Sequence, residues 1–214
     1  MNKLRGIQES IPRILIFYVK IKPLMKIYLH SIIVLLLLPF CVVSAQQNSA
    51  HNPILYADVP DISIIRVDDN YYMSSTTMHM SPGIPIMKSK DLINWKLVNY
   101  AYDTLADVDA LNLENGKNAY GSGSWASSLR YHDGTYYVST FAGTTGKTYI
   151  FQTKDIEKGS WKSTSFEPSL HDSSLFFDDD GKVYMIYGGG ALKIVQLKDD
   201  LSGIREGTEK VLLT

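Results

Sequence analysis

Asp61-Ile-Ser-Ile-Ile-Arg-Val-Asp-Asp-Asn-Tyr-Tyr-Met73 decides the fold, because the chain returns to it twice. The second copy is Ala126-Ser-Ser-Leu-Arg-Tyr-His-Asp-Gly-Thr-Tyr-Tyr-Val138. The third, with one extra turn residue, is Asp172-Ser-Ser-Leu-Phe-Phe-Asp-Asp-Asp-Gly-Lys-Val-Tyr-Met185. Each reads as a strand, a tight polar turn and a second strand, so each opens with a hairpin. The sequence after each hairpin repeats as well. Ile86-Met-Lys-Ser-Lys-Asp-Leu92 leads to Trp95, and Ile150-Phe-Gln-Thr-Lys-Asp-Ile156 leads to Trp161. Ile194-Val-Gln-Leu-Lys-Asp-Asp-Leu201 closes the third unit. These segments predict a third strand, a turn and a fourth edge strand, for example Lys96 to Val98. Four strands per unit, at periods of 65 and 46 residues, predict β-propeller blades. A β-sandwich with coincidental similarity is the plainer alternative.

Outside the repeat nothing competes with an all-β reading. Short runs of Ile, Val, Tyr, Phe and Thr alternate with Asp-Gly, Asn and Ser-Gly punctuation, and no long stretch carries apolar residues at helical spacing. Propellers close with about four to eight blades. Three blades therefore imply an incomplete ring, and the expectation is that further blades lie beyond Thr214.

The first 45 residues do not belong to the repeat. Lys3, Arg5, Arg13, Lys20, Lys22 and Lys26 face one acid, Glu9, and the apolar run Ile32 to Val43 follows, leaving through Val43-Ser44-Ala45. A basic flank, a short apolar stretch and small exit residues predict a secretory signal peptide over residues 1–45, with Met25 an alternative start. The run of about 12 residues is shorter than the roughly 20 that span a bilayer. An uncleaved anchor and a lipoprotein signal at Cys41 are the alternatives, although Phe40 is bulky for the latter. Cleavage near Ala45 removes Cys41, the one cysteine, so the remaining domain, residues 46–214, has neither disulfide nor thiolate metal site. It carries 15 basic against 21 acidic residues, a net charge of −6. That balance argues against a nucleic-acid partner. The expected location is secreted or periplasmic.

Two glycine-rich stretches look like phosphate loops and fail on context. Gly121-Ser-Gly123-Ser-Trp-Ala126 has no helix after it, and Gly143-Thr-Thr-Gly146-Lys147-Thr148 lacks the first glycine at the required spacing. Asp178, Asp179 and Asp180 resemble a calcium loop, but Gly181 and the flanking strands make a hairpin turn the simpler reading.

The repeat indicates a better site. Equivalent positions at the start of the innermost strand gather around the axis at one mouth of a propeller. Here they are Asp61, Ala126 and Asp172. An aspartate at one such position reads as a turn or strand cap. Two at equivalent positions converge on one funnel, where like charges raise one proton affinity. Glycoside hydrolysis uses such paired acids across a sugar. Trp125, beside Ala126, reads as a sugar-stacking wall or a core tryptophan. His79, in the loop Thr77 to Gly83, reads as a sugar contact or plain loop. His171 would orient Asp172 or touch substrate. Trp95 and Trp161 recur at outer positions and read as packing between blades.

As a set, Asn52-Pro-Ile-Leu55, Val59-Pro-Asp-Ile-Ser-Ile64, Tyr71-Tyr72, Gly123-Ser-Trp-Ala-Ser-Ser-Leu129 and Asp172-Ser-Ser-Leu-Phe176 resemble glycoside hydrolase family 43. The resemblance runs from about Asn52 to Thr214. It implies a five-bladed propeller with an inverting mechanism, acting as a β-xylosidase, α-L-arabinofuranosidase, arabinanase or xylanase, with a xylo- or arabino-oligosaccharide as partner. Asp61 matches the family's general base, and Asp172 matches the aspartate that tunes the acid's pKa and positions substrate. The family's general acid, a glutamate at the start of blade four, has no counterpart among these residues. Ser127 stands where the family often has proline. The loop with Met78, His79 and Met80 suggests the β-xylosidase or arabinofuranosidase branch. No metal and no organic cofactor is implied. A non-catalytic sugar-binding propeller is the rival, keeping Trp125 and the funnel without needing both carboxylates.

Overall fold

A computed structural model describes residues 50–79 and 81–214. Residues 1–45, read as a signal, lie outside the described residues, as does Met80.

Twelve strands form three antiparallel sheets of four among the described residues. The first sheet takes β1 (Ser63–Val67), β2 (Asn70–Ser74), β3 (Gly83–Ser89) and β4 (Lys96–Tyr102) in sequence order. The second takes β5 (Ser128–His132), β6 (Thr135–Ala142), β7 (Lys147–Thr153) and β8 (Lys162–Phe166). The third takes β9 (Ser174–Phe177), β10 (Val183–Tyr187), β11 (Leu192–Gln196) and β12 (Lys210–Leu213). Strands β1, β5 and β9 are neighbours in turn, so the sheets meet through their first strands, as propeller blades do. A sandwich, with sheets stacked face to face, is excluded.

The hairpin turns follow from their residues. Asp133 and Gly134 both have positive φ, 46° and 74°, which a type I′ turn needs and which matches the twist of the flanking strands. In the third blade Gly181 N–H donates to Asp178 O (3.0 Å), so the three aspartates are a turn, with Lys182 paired to Asp180. The Gly143 to Thr148 lookalike is the β6–β7 hairpin, closed by Gly146 N–H on Ala142 O (2.9 Å). Two expected boundaries move. β4 extends to Tyr102, and the fourth strand of the third blade is β12, beyond Leu201. One turn of helix, α1 (Asp109–Asn112), sits in the β4–β5 connection.

Side chains alternate across a strand, and the middle blade is covered on both faces. In β7, Tyr149 and Phe151 join the core shared with the first blade, while Ile150 joins the core shared with the third. That double burial explains why β7 reads as an apolar run. Each fully buried Ile or Leu contributes roughly 1.5–3 kcal/mol. Trp161 packs against the first of these cores, as expected. Trp95 instead donates its indole N–H to Leu92 O (3.1 Å) within its own turn.

Polar contacts also join the first two blades. Ser74 and Ser127, both buried, share a hydroxyl hydrogen bond of 2.8 Å. At the periphery Glu157 accepts from Tyr72 Oη (2.8 Å) and Lys88 Nζ (2.5 Å). Those hydrogen bonds hold the Glu157 carboxyl below the usual range. Burial and the neighbouring carboxylate push the Tyr72 phenol well above its usual value. Between the second and third blades, Arg130 donates from Nε to Leu175 O (3.0 Å).

Candidate active site

The three equivalent positions are built by one backbone device. Register places Ser63 opposite Ser74, Ser128 opposite Ser139 and Ser174 opposite Ile186. Continued two residues toward the mouth, it sets Asp61 opposite Thr76, Ala126 opposite Phe141 and Asp172 opposite Gly188. A backbone bond anchors the residue before each of the three. Thr76 N donates to Pro60 O (3.3 Å), Trp125 N to Phe141 O (3.0 Å) and Gly188 N to His171 O (2.9 Å).

At this point the two aspartates share a conformation that side chains disfavour. Asp61 has φ 52° and Asp172 φ 48°, both in the left-handed region. A residue other than glycine loses roughly 1–2 kcal/mol there, with Asp and Asn the best tolerated. Both residues are exposed, so burial does not hold them. Leu92 and Leu201 share a positive φ at another pair of equivalent positions, so the conformation belongs to the repeat, and it is their place at the mouth that singles out the two aspartates. Gly188 is glycine for a separate reason: its φ is 146°, and a Cβ there would meet Ala191 O at 2.2 Å.

Around Asp172 the structure gathers three rings. His171 Nδ1 stands 3.3 Å from Asp172 Oδ2, at hydrogen-bonding distance, with both side chains half exposed. The His171 ring lies 5.1 Å from that of Phe141 and 6.4 Å from that of Trp125. Trp125 and Phe141 are 5.9 Å apart. The indole N–H of Trp125 donates to Gly121 O (3.2 Å), and its backbone carbonyl accepts from Thr140 Oγ1 (2.7 Å). Trp125 is thus clamped, half buried, beside the His171–Asp172 pair.

Strand direction fixes what else faces this mouth. β1 leaves it and β2 returns, then β3 leaves and β4 returns. Loop 75–82 and connection 103–127 therefore emerge at the same end as Asp61. Met78 N donates to Ser124 O (3.1 Å), and Thr76 Oγ1 donates to that carbonyl too. Tyr102 Oη donates to Ser124 Oγ (2.8 Å), and burial raises its phenol pKa. Gly123 lies so close to the loop that a Cβ would fall 2.0 Å from His79 O. His79 Nδ1 accepts from Gly121 N (3.3 Å), and its ring stacks on Tyr120 at 4.3 Å and 11°. A depression of about 430 Å³ is lined by Asp58, Thr76, Thr77 and His79. Another of about 490 Å³, lined by Leu113, Asn118 and Tyr120, is also bounded by His79.

Of the residues singled out by sequence, Trp125, His171 and Asp172 form one cluster. His79 joins them through Gly121, which touches both His79 and Trp125. Asp61 stands at the same mouth through the Pro60–Thr76 bond. Sequence reading missed Phe141 and Tyr120. Phe141 was recoverable, as the register partner of Ala126. Tyr120 sits in a connection with no counterpart in the other blades, so the repeat gives no signal for it.

Two exposed acids thus stand at one propeller mouth, with clamped aromatic rings beside Asp172. Residues 50–214 match the family model for glycosyl hydrolases family 43, and the chain belongs to that family. A β-xylosidase of Formosa agariphila is 41% identical over 140 residues, covering 63% of this chain and 23% of that protein. A non-reducing end α-L-arabinofuranosidase of Bacteroides ovatus is 35% identical, covering 67% of this chain and 27% of its own length. The chain spans about a quarter of the length of the curated relatives it matches. Among solved structures, a bifunctional GH43-CE protein of Bacteroides eggerthii superposes with a TM-score of 0.74 at 67% identity. That match covers 77% of this chain and 21% of that one.

Proposed function

We propose that the protein carrying this chain hydrolyses O-glycosidic bonds in xylan or arabinose-containing hemicellulose, in the manner of a β-xylosidase or α-L-arabinofuranosidase, with inversion. The observation that carries the reading is the pair Asp61 and Asp172, held left-handed at equivalent blade positions at one mouth, with Trp125 beside the His171–Asp172 end. Family membership and the names of the relatives support the substrate class.

In this mechanism Asp61 takes a proton from water. The water oxygen forms a bond to the anomeric carbon as the bond to the leaving oxygen breaks on the opposite face. The leaving oxygen receives its proton from the glutamate that the family places at the start of a fourth blade. Asp172, oriented by His171, raises that glutamate's proton affinity by its negative charge. Trp125 and His171 hold the sugar beside Asp172, and His79 contacts the adjoining part of the substrate. Export follows from the basic and apolar pattern of residues 1–45, leaving residues 46–214 as the first three blades of the catalytic propeller. No helix among the described residues is long and apolar enough to cross a membrane.

The test is Asp61→Ala assayed on aryl xyloside and arabinofuranoside. The expected loss is at least about 10²-fold, the scale of a positioned base. It should persist with acidic phenol leaving groups, which need little protonation. Unchanged turnover would remove Asp61 as base, and a wild-type protein that binds sugar without hydrolysing it would be the non-catalytic rival.

A further inference from the structure

We propose that His79 and Tyr120 form a second sugar-binding platform, which stacks a xylopyranose unit of a chain whose end lies at the Asp172 cluster. The inference rests on the hemicellulose reading above and adds a binding site with no counterpart in the repeat.

A single exposed aromatic needs no explanation. Tyr120 differs because it is both exposed and fixed. It is 78% exposed, so most of the ring is in water. One face is nonetheless covered by His79 at 4.3 Å, nearly parallel, and Tyr120 N donates to Asn118 Oδ1 (3.1 Å). His79 is fixed in turn. Its Nδ1 accepts from Gly121 N, and its backbone lies against Gly123, where no side chain fits. In the neutral ring that acceptor role puts the proton on Nε2, a donor for a sugar hydroxyl.

The position is set by chemistry as much as by exposure. Gly121 N–H bonds His79, and Gly121 O accepts the indole N–H of Trp125. One residue, Gly121, therefore joins two ring groups, Tyr120 with His79 and Trp125 with Phe141 and His171, and the second group lies beside Asp172. The two depressions that His79 lines, about 430 and 490 Å³, fall in the range of small-ligand sites, roughly 300–1,000 Å³. A xylopyranose chair offers flat C–H faces to an aromatic quadrupole and hydroxyls at its rim to Asn118 and His79 Nε2. A chain of such units suits two ring groups joined through one residue. A monosaccharide would use one end only.

The experiment compares wild type, Tyr120→Ala and Tyr120→Phe in the protein carrying this chain. Calorimetric titration with xylotetraose is paired with kinetics on xylotetraose and on a nitrophenyl β-xyloside. Tyr120→Ala should weaken xylotetraose binding about ten-fold, the scale of one stacking contact. The ratio of kcat/KM for xylotetraose to that for the aryl xyloside should fall by about the same factor. Tyr120→Phe should restore both. Unaltered binding in Tyr120→Ala, a parallel fall on both substrates, or no binding of xylotetraose by wild type would each overturn the platform. A wild type that binds xylotetraose through Tyr120 but cleaves neither substrate supports the platform and refutes the hydrolase reading.

Discussion

Gly123→Ala tests whether the mouth of the first two blades is as tightly coupled as its contacts imply. A Cβ on residue 123 would fall 2.0 Å from His79 O, 2.7 Å from its carbonyl carbon and 2.8 Å from its nitrogen. Real Cβ contacts essentially never fall below 3.0 Å, so the His79 peptide must retreat by about 1 Å or more. All three atoms are backbone, so no rotamer change relieves the clash. The retreat pulls on Gly123 N–H to Met78 O (3.4 Å) and Met78 N–H to Ser124 O (3.1 Å), the bonds that join loop 75–82 to connection 103–127. Overpacking of this kind costs roughly 1–3 kcal/mol. A displacement near 1 Å can cost about 10²-fold in rate when it reaches substrate-positioning groups. The assay is denaturant unfolding together with kcat/KM on xylotetraose. Gly143→Ala is the control, since a Cβ there meets nothing within 4 Å. Equal stability and activity in the two variants would refute the coupling argument.

Three further outcomes are expected. Ser127→Ala leaves the Ser74 hydroxyl buried without its partner and should cost about 1–3 kcal/mol, while the double variant with Ser74→Ala should recover most of that; additive single effects in unfolding would contradict it. The Glu157 pKa is lowered by Lys88 and Tyr72, so its stabilising contribution is present above the ordinary glutamate range and is lost as pH falls through the depressed folded value. Glu157→Gln should therefore flatten the acid limb of the stability–pH curve, and an unchanged limb would count against the pairing. Asp61→Ala should abolish turnover of aryl glycosides without weakening binding of xylotetraose by more than a few-fold, and a fall in affinity alone would make Asp61 a binding residue.

The repeat made most of the fold legible. Asp61, Ala126 and Asp172 could be aligned by sequence because each begins a strand that ends in a polar turn, and that local chemistry is the same in all three blades. The Gly143 to Thr148 hairpin and the Asp178 to Gly181 turn were equally readable, since turn type follows from residues within the turn. Trp95 was not. Its outer repeat position suggested packing between blades, whereas its indole N–H bonds Leu92 O inside its own turn.

The sequence alone determined that the chain is an all-β repeat and which residues open each blade, and it offered Asp61, Asp172, Trp125, His79 and His171 as candidates for one site. Periodicity and turn chemistry are local, and a repeated unit carries its orientation with it. Only the tertiary structure revealed the left-handed backbone at Asp61 and Asp172, the clustering of Trp125 with His171 beside Asp172, and the stacking of Tyr120 on His79. The first depends on the register of paired strands. The last joins residues 41 positions apart across two irregular segments, whose course no hydrophobic period specifies.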